Sequence, residues 1–240
     1  MTRQPNILFL LSDEHSYRCF SHLDPNIDGE PVHTPTLDAL AAPATVFHQT
    51  YCQVALCTPS RICMLTGLSP MQSGGWTNWS YLKPDNKTLP QVFAEAGYVT
   101  CLIGKMHLGG NRQFVGFQHR PYGDLTGNHG HQLEPLLEQH EEYVYATSGW
   151  MSSAGITEIP ESKLQEQVVA RETLAFLREQ RHARPDQPWF LCASFSRPHW
   201  PVTAPRRHFE RYWPDNVTLP KVGRSGDTAN HPYTQSVADL

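Results

Sequence analysis

Residues 6 to 15 read NILFLLSDEH, a short apolar run that ends abruptly in polar and charged side chains. A continuous apolar run of this length is typical of a β-strand that is buried on both faces, as in a parallel sheet. Asp13, Glu14 and His15 follow the run directly. The stretch therefore predicts a strand that places a charged cluster at its carboxyl end.

Strand and helix patterns alternate along the rest of the chain. The apolar segments 98–103 and 189–195 predict two further strands, and residues 46–54 predict another extended segment. Helices are predicted after Thr34-Pro35, over residues 59–66 behind a Thr58 cap, from Thr88 to Gly97, and from a capping box at Ser162–Gln165 to about residue 180. Repeated strand–helix units predict an α/β fold with a mainly parallel sheet sandwiched by helices, and no linker divides residues 1–240.

Polar clusters follow three of the predicted strands. They are Ser12–His15, Gly104–His107 and Arg197–His199. Open α/β sheets bind their ligands outside the carboxyl ends of the strands. We therefore expect Asp13, Lys105, His107 and His199 to converge, with Cys57 joining them from the start of a predicted helix.

Composition limits the possible partners and locations. The 240 residues carry a net charge of −4, so no broad basic surface for nucleic acid is expected. The apolar run at residues 7–11 is too short to cross a membrane and lacks a signal-peptide cleavage region. The sequence thus predicts a cytoplasmic protein without membrane contact, in which the six cysteines are reduced.

Cys57 has three ordinary interpretations. It could be a small buried hydrophobe, half of a disulfide, or a nucleophile whose pKa is lowered by the helix N-terminus with help from Arg61. The remaining cysteines are predicted to pack in the core; they are Cys19, Cys52, Cys63, Cys101 and Cys192.

The run Cys57-Thr-Pro-Ser-Arg61, followed by Thr66-Gly67, resembles the C-x-P-S-R motif of the sulfatase family. Four further stretches resemble other parts of that family and occur in its order: PNILFLLSDEH, HTPTLDALA, GKMHLG and SFSRPHWPVTAP. The chain is thereby identified as similar to the N-terminal part of a formylglycine-dependent sulfatase, within the alkaline-phosphatase-like superfamily.

The resemblance implies a hydrolase that cleaves small-molecule sulfate esters. A maturase would oxidise Cys57 to formylglycine, and one hydroxyl of the hydrated aldehyde would attack sulfur to give a covalent sulfate–enzyme intermediate. Arg61 and Lys105 would stabilise the anionic sulfate oxygens. His107 would assist proton transfer at the diol, and His199 would contact the sulfate or protonate the leaving alcohol.

The resemblance also implies a divalent metal ion, usually calcium, with magnesium or manganese as possible replacements. Asp13, Glu14 and the hydrated residue 57 would provide oxygen ligands, which suit a hard cation. Many family members carry two adjacent aspartates where this chain has Asp13-Glu14. Glu14 could therefore coordinate through its longer side chain or point away, and the sequence leaves both alternatives open.

Family domains are longer than this chain and contain further metal ligands and a second lysine. Asp215-Asn216 comes too soon after His199, and Asp227 and Asp239 lack a preceding predicted strand. We therefore expect an N-terminal fragment with an incomplete metal site and an exposed sheet edge. Two alternatives stay open, a phosphoester or phosphonate hydrolase of the same superfamily and an inactive remnant. The ester and the oligomeric state also stay open.

Two segments have unassigned roles. His129 and His131 could line the site or lie in a solvated loop. Trp76-Thr-Asn-Trp79-Ser-Tyr81 could shape substrate access or form a packed loop.

Overall fold

The computed structural model describes residues 4–21, 29–123, 155–157, 159–199 and 202–217. A parallel sheet of four strands lies at the centre; its strands are β1 (Ile7–Asp13), β2 (Val99–Gly104), β3 (His119–Tyr122) and β5 (Trp189–Pro198). They lie side by side in the order β1-β5-β2-β3. Two short strands, β4 (Gly155–Ile156) and β6 (Thr203–Ala204), form a separate parallel pair.

Helices connect the strands. They are α1 (Pro35–Ala41), α2 (Cys57–Thr66), α3 (Pro70–Ser73), α4 (Leu89–Glu95), α5 (Gln165–Ala183) and α6 (Arg206–Phe209), with a 3-10 turn at Glu161–Lys163 before α5. α2 ends as predicted at Gly67, whose φ of 70° is the left-handed conformation that glycine adopts readily. Within the described ranges, no helix has the length and apolar character needed to cross a bilayer.

Hydrophobic residues pack against both faces of the sheet. On one face, Ile62 of α2 packs with Leu102 and Phe190. On the other face, Val169 of α5 packs with Cys101 and with residues of β5. Neighbouring residues of β2 thus face opposite layers, as the alternation of side chains along a strand requires. The predicted α/β fold, a parallel sheet between helices, is confirmed.

Three local predictions were wrong. Residues 46–54 form turns and irregular backbone, and Phe47 is 78% exposed. Helix α2 begins at Cys57 with Leu56 as its N-cap, because the Thr58 hydroxyl donates instead to the carbonyls of His107 and Asn78. The capping box before α5 does not form, since the 3-10 turn occupies that position and Leu164 is the N-cap.

The first strand, β1, lies at one edge of the described sheet and pairs with β5. Leu8 and Leu10 alternate along it and are 44% and 50% exposed. The prediction that both faces of this strand are buried is therefore wrong for the described residues. Apolar side chains beside unpaired strand backbone are a typical surface for association.

Candidate active site

The structure brings the three polar clusters together at the carboxyl end of the sheet. β1 ends at Asp13, β2 ends directly before Lys105, and β5 ends directly before His199. Helix α2 begins there with Cys57 as its first residue. A carboxylate oxygen of Asp13, the sulfur of Cys57 and a ring nitrogen of His199 all lie within 4.8 Å of one another.

Asp13 forms two buried ion pairs. Its Oδ1 lies 2.9 Å from Arg61 Nη2, and its Oδ2 accepts a hydrogen bond from Lys105 Nζ. Asp13 is 8% exposed, Arg61 4% and Lys105 0%. Burial alone would raise the pKa of Asp13, but the charges and hydrogen bonds of Arg61 and Lys105 outweigh it and lower that pKa to about 2. We call these three residues the buried charge cluster; two cations against one anion leave it positive.

Arg61 is fixed by contacts on its other side as well. Its Nη1 donates to the carbonyl oxygen of Lys105 at 2.9 Å and to Ser194 Oγ at 3.2 Å. The guanidinium therefore joins β1, β5 and the residue that follows β2. Its charge is held beneath the site in a fixed position, which is what electrostatic stabilisation of an anion requires.

Ser194 was not predicted as part of the site, although it is a polar residue within an apolar strand. It is fully buried in β5, and its carbonyl oxygen accepts from the Lys105 amide at 3.0 Å. Gly104 makes this approach possible. A Cβ at that position would lie 2.0 Å from the Ser194 carbonyl oxygen, and the φ of +95° disfavours other residues.

His107 lies just beyond β2 in the left-handed region, with φ of 52°, and Glu14 beyond β1 has φ of 58°. Such conformations are uncommon for residues other than glycine and occur often at functional sites. Burial, with the positive charges of Lys105 and Arg61, lowers the pKa of His107 to about 4. Its imidazole is therefore neutral at pH 7 and able to accept a proton.

His199 lies close to both acidic residues of the first cluster. Its Nε2 is 4.0 Å from Asp13 Oδ2 and 3.7 Å from Glu14 Oε2. His199 is 8% exposed, whereas the side chain of Glu14 is 62% exposed. Glu14 thus lies at the solvent side of the site. The sequence assigned His199 to the substrate; the structure also brings it into reach of a metal ion.

Cys57 is half-buried, and the predicted lowering of its pKa is wrong. Burial raises the pKa of its thiol, Lys105 lowers it, and Asp13 raises it again. The net effect is a thiol that stays protonated at neutral pH. Since the thiolate is the nucleophilic form, Cys57 is a poor nucleophile as cysteine.

The structure excludes a disulfide at Cys57, because all six cysteines are free. Cys63, Cys101 and Cys192 are buried as predicted, whereas Cys52 is exposed and its predicted core position is wrong.

The donor atoms around residue 57 fit a divalent ion in part. Asp13 offers a carboxylate, His199 an imidazole, and the Cys57 sulfur stands in for an oxygen of the hydrated aldehyde. Calcium prefers six to eight oxygen ligands. Among the residues that the structure describes, Asp13, Cys57 and His199 are the one set of three potential metal ligands that lie close together.

Asn78 is a second residue that sequence analysis missed. Its side-chain Oδ1 accepts from the Thr58 amide at 3.1 Å, and its carbonyl accepts from the Thr58 hydroxyl at 3.3 Å. The same hydroxyl donates to the carbonyl oxygen of His107. Thr58 therefore connects the start of α2 to the loop after β2 and to the segment around Asn78. His129, His131, Asp227 and Asp239 lie outside the described residues.

The chain is similar to known proteins over nearly its whole length. The model of the sulfatase family matches residues 5–219. The "Uncharacterized sulfatase YidJ" of Escherichia coli (strain K12) is 30% identical over 235 residues, which cover 96% of this chain and 45% of that protein. The choline-sulfatase of Rhizobium meliloti (strain 1021) is 28% identical over 98% of this chain and 46% of its own length.

The fold is similar to that of solved structures. The phosphonate monoester hydrolase of Agrobacterium radiobacter aligns with a TM-score of 0.71 and 22% identity, covering 97% of this chain and 49% of that one. The chain spans about half the length of the curated relatives it matches. Because the family match extends from β1 beyond α6 and includes every residue of the site, the chain belongs to the sulfatase family.

Proposed function

We propose that the chain carries the nucleophile and the anion-binding groups of a sulfuric ester hydrolase. The observation that supports this proposal most directly is the position of Cys57 beside the buried charge cluster, at the carboxyl end of a parallel sheet. A sulfate ester is anionic and gains negative charge on its leaving oxygen during cleavage. A positive cluster that cannot move is complementary to that change.

Residue 57 would act as formylglycine, produced from Cys57 by a maturase. The hydrated aldehyde would supply a hydroxyl nucleophile that the protonated thiol cannot provide. The raised pKa of Cys57 supports this assignment, because it argues against a thiolate mechanism at this position.

Lys105 and Arg61 would stabilise the sulfate. Their charges are buried, so water screens them less than it would at the surface. Both also contact Asp13, which keeps them in place. Arg61 would act mainly through its charge, since its terminal nitrogens already donate to protein atoms.

His107 and His199 would handle protons. His107 is neutral because its pKa is about 4, and would accept a proton from the residue-57 hydroxyl. His199, 4.0 Å from Asp13 and 8% exposed, would contact the sulfate or protonate the leaving alcohol as the sulfur–oxygen bond breaks.

A divalent ion would add positive charge next to the nucleophile. Asp13 and residue 57 would hold it, with Glu14 at the solvent side as a further carboxylate. These oxygen donors suit calcium, magnesium or manganese, which all prefer oxygen ligands. In this arrangement the ion would compete with Lys105 for the Asp13 carboxylate.

Maturation tests the proposed nucleophile. Co-expression with a formylglycine-generating maturase should reduce the mass of the Cys57 peptide by about 18 Da, because the thiol is replaced by an aldehyde. Cys57→Ala should abolish any hydrolysis of an aryl sulfate by the matured protein. Hydrolysis by protein whose Cys57 is entirely unmodified would contradict the proposal.

Phosphate monoesters, diesters or phosphonates are the alternative substrates. The buried charge cluster would stabilise phosphoryl oxygens by the same electrostatics, so the site chemistry does not choose between sulfur and phosphorus. Turnover of phenyl sulfate and phenyl phosphate by one preparation decides it. Failure with both would favour the remaining alternative, an inactive remnant with an anion-binding surface.

A further inference from the structure

The segment that carries His199 is held by residues outside its own strand. Arg197 and Pro198 are the last residues of β5 and come directly before His199, which is 8% exposed. The His199 amide donates to the Ser196 carbonyl oxygen at 3.1 Å, so the backbone turns just before the imidazole. The position of that imidazole therefore depends on what fixes residues 196–198.

The pairing of β1 with β5 is irregular at this point. The register shifts between Ser12 and Asp13, so that residues 196 and 197 are skipped and Asp13 is level with Pro198. The shift brings Asp13 beside the segment of His199, whose Nε2 lies 4.0 Å from Asp13 Oδ2. Irregularities of this kind often redirect a side chain beside an active site.

Glu166, the second residue of α5, binds one of the two skipped residues with both oxygens of its carboxylate. Oε1 accepts from the Arg197 amide at 3.1 Å, and Oε2 accepts from Arg197 Nη1. The side chains of Glu166 and Arg197 are 22% and 24% exposed, so solvent reaches the pair only in part. Hydrogen bonds between ionised groups are stronger than those between neutral groups. A carboxylate in the first turn of a helix is also stabilised by the helix dipole.

The remaining polar groups of Arg197 are bound as well. Its Nε donates to the carbonyl oxygen of Thr203 at 3.1 Å, and its Nη2 donates to Thr203 Oγ1 at 3.2 Å. Its carbonyl oxygen accepts from Ser12 Oγ at 2.9 Å. Arg197 thus joins α5, β6 and β1 at a point two residues before His199, and Glu166 supplies the one carboxylate among these contacts.

We infer that Glu166 is a positioning residue for His199. It holds Arg197, and through Arg197 it keeps the imidazole beside Asp13 at the buried charge cluster. The inference rests on the proposed function, in which His199 contacts the sulfate or protonates the leaving alcohol. Glu166 acts through the end of β5 and not on the ester itself. Its replacement frees that end of the strand without removing a side chain from either hydrophobic layer of the sheet.

Chemical modification of histidine tests the position of His199 without requiring turnover. Diethyl pyrocarbonate acylates accessible imidazoles, and mass spectrometry of the digested 240-residue protein gives a rate for each histidine. In Glu166→Ala, His199 should react about tenfold faster, the change expected when local opening loses the opposition of one charge-assisted hydrogen bond. Glu166→Gln should keep part of the protection, because its amide oxygen can still accept from the Arg197 amide.

Two controls separate local positioning from general loosening. Glu161→Ala removes another glutamate–arginine pair, which lies only five residues earlier and is more exposed, and should leave the rate of His199 unchanged. His107 follows a different strand, β2, and should react at the parent rate in Glu166→Ala. An unchanged rate for His199, or an equal increase for His107 and His199, would overturn the inference.

A double-mutant cycle tests whether the positioning serves the reaction. In matured protein, Glu166→Ala should reduce aryl sulfate hydrolysis roughly tenfold, and it should cause no further loss in a His199→Ala background, because the two residues act as a unit. A loss that persists without His199 would contradict the assigned route. If the parent protein hydrolyses no ester while Glu166→Ala accelerates acylation of His199 alone, the contact that fixes His199 stands and the proposed activity is rejected.

Discussion

Two arginine–carboxylate pairs of this protein have similar nitrogen–oxygen distances and different surroundings. Arg61 and Asp13 approach to 2.9 Å at the carboxyl end of the sheet, with side chains 5% and 9% exposed. Arg207 and Glu161 approach to 2.6 Å at the surface, with side chains 59% and 41% exposed. Distance therefore does not separate them, but burial does.

Burial changes what the pair does. Between exposed groups, water and salt screen most of the attraction, and such pairs contribute about 0–1 kcal/mol. Removing one partner of a buried pair leaves an uncompensated charge, at a cost of about 3–5 kcal/mol. The pKa of Asp13 falls to about 2 despite its burial, so its two cations hold it charged over the whole physiological range. The buried charge cluster therefore keeps its charges in fixed positions at full strength, whereas solvent weakens the attraction within the surface pair.

Replacing Cys57 should have the greatest effect on activity and little effect on stability. Cys57→Ala should abolish sulfate ester hydrolysis, and Cys57→Ser should leave very little, because neither residue provides the aldehyde. Both variants leave the ion pairs of Asp13 intact, so unfolding in urea should change by less than about 1.5 kcal/mol. Hydrolysis by Cys57→Ala at the rate of the parent protein would show that another residue is the nucleophile.

The second effect compares the two pairs directly. Asp13→Ala should lower the free energy of unfolding by about 3–5 kcal/mol, because it leaves the buried Arg61 and Lys105 without a counter-charge, and Arg207→Ala should lower it far less. Urea titrations of the two variants under identical conditions measure both. Equal losses would contradict the distinction between the regions.

Hydrolysis rates give a second comparison between the buried and the surface residues. Lys105→Ala and Arg61→Ala should each reduce the hydrolysis rate roughly 10²–10³-fold, the usual effect of losing one preorganised charge. His107→Ala should have a comparable effect, whereas Arg207→Ala should leave the rate unchanged. Normal activity of Lys105→Ala would show that its charge is not used on the sulfate.

The third effect concerns pH. His107 has a folded pKa of about 4, below its ordinary value of 6.5, so the unfolded chain binds the proton first as pH falls. The contribution of this residue to stability is complete above pH 6.5 and is lost as pH falls through 4, to a total of about 3 kcal/mol. Urea unfolding between pH 7 and 4 should show this slope, and His107→Gln should flatten it. An unchanged slope in the variant would place the titrating group elsewhere.

The smallest expected effect is that of calcium. Asp13 is already paired with two cations, and the described residues supply three donor atoms. A dissociation constant close to the millimolar calcium present would stabilise the fold by about 0.4 kcal/mol. The melting temperature should then rise by roughly 1 °C. A rise of many degrees, abolished by Asp13→Asn, would show that the buried region binds cations more strongly than its charges suggest.

Elements with local sequence signals could be predicted before the structure was known. β1, β2 and β5 are apolar runs that end in polar residues, and Gly67 stops α2, so each could be predicted from a few consecutive residues. The same runs placed Asp13, Lys105 and His199 at one end of the sheet, because parallel strands present their carboxyl ends together. The motif from Cys57 to Arg61 supplied the family resemblance.

The environments of those residues depend on contacts between distant parts of the chain and could not be predicted from the sequence. Burial, not the helix N-terminus, controls the pKa of Cys57, and the roles of Ser194 and Asn78 arise from partners 133 and 20 residues away along the chain. Residues 46–54 have a strand-like composition yet form irregular backbone, and Trp76 and Trp79 are exposed although a packed loop was one interpretation of residues 76–81. Strand pairing, burial and pKa shifts depend on all the residues that surround a side chain. Folding brings many of those residues from distant positions in the chain, so a short stretch of sequence does not predict them.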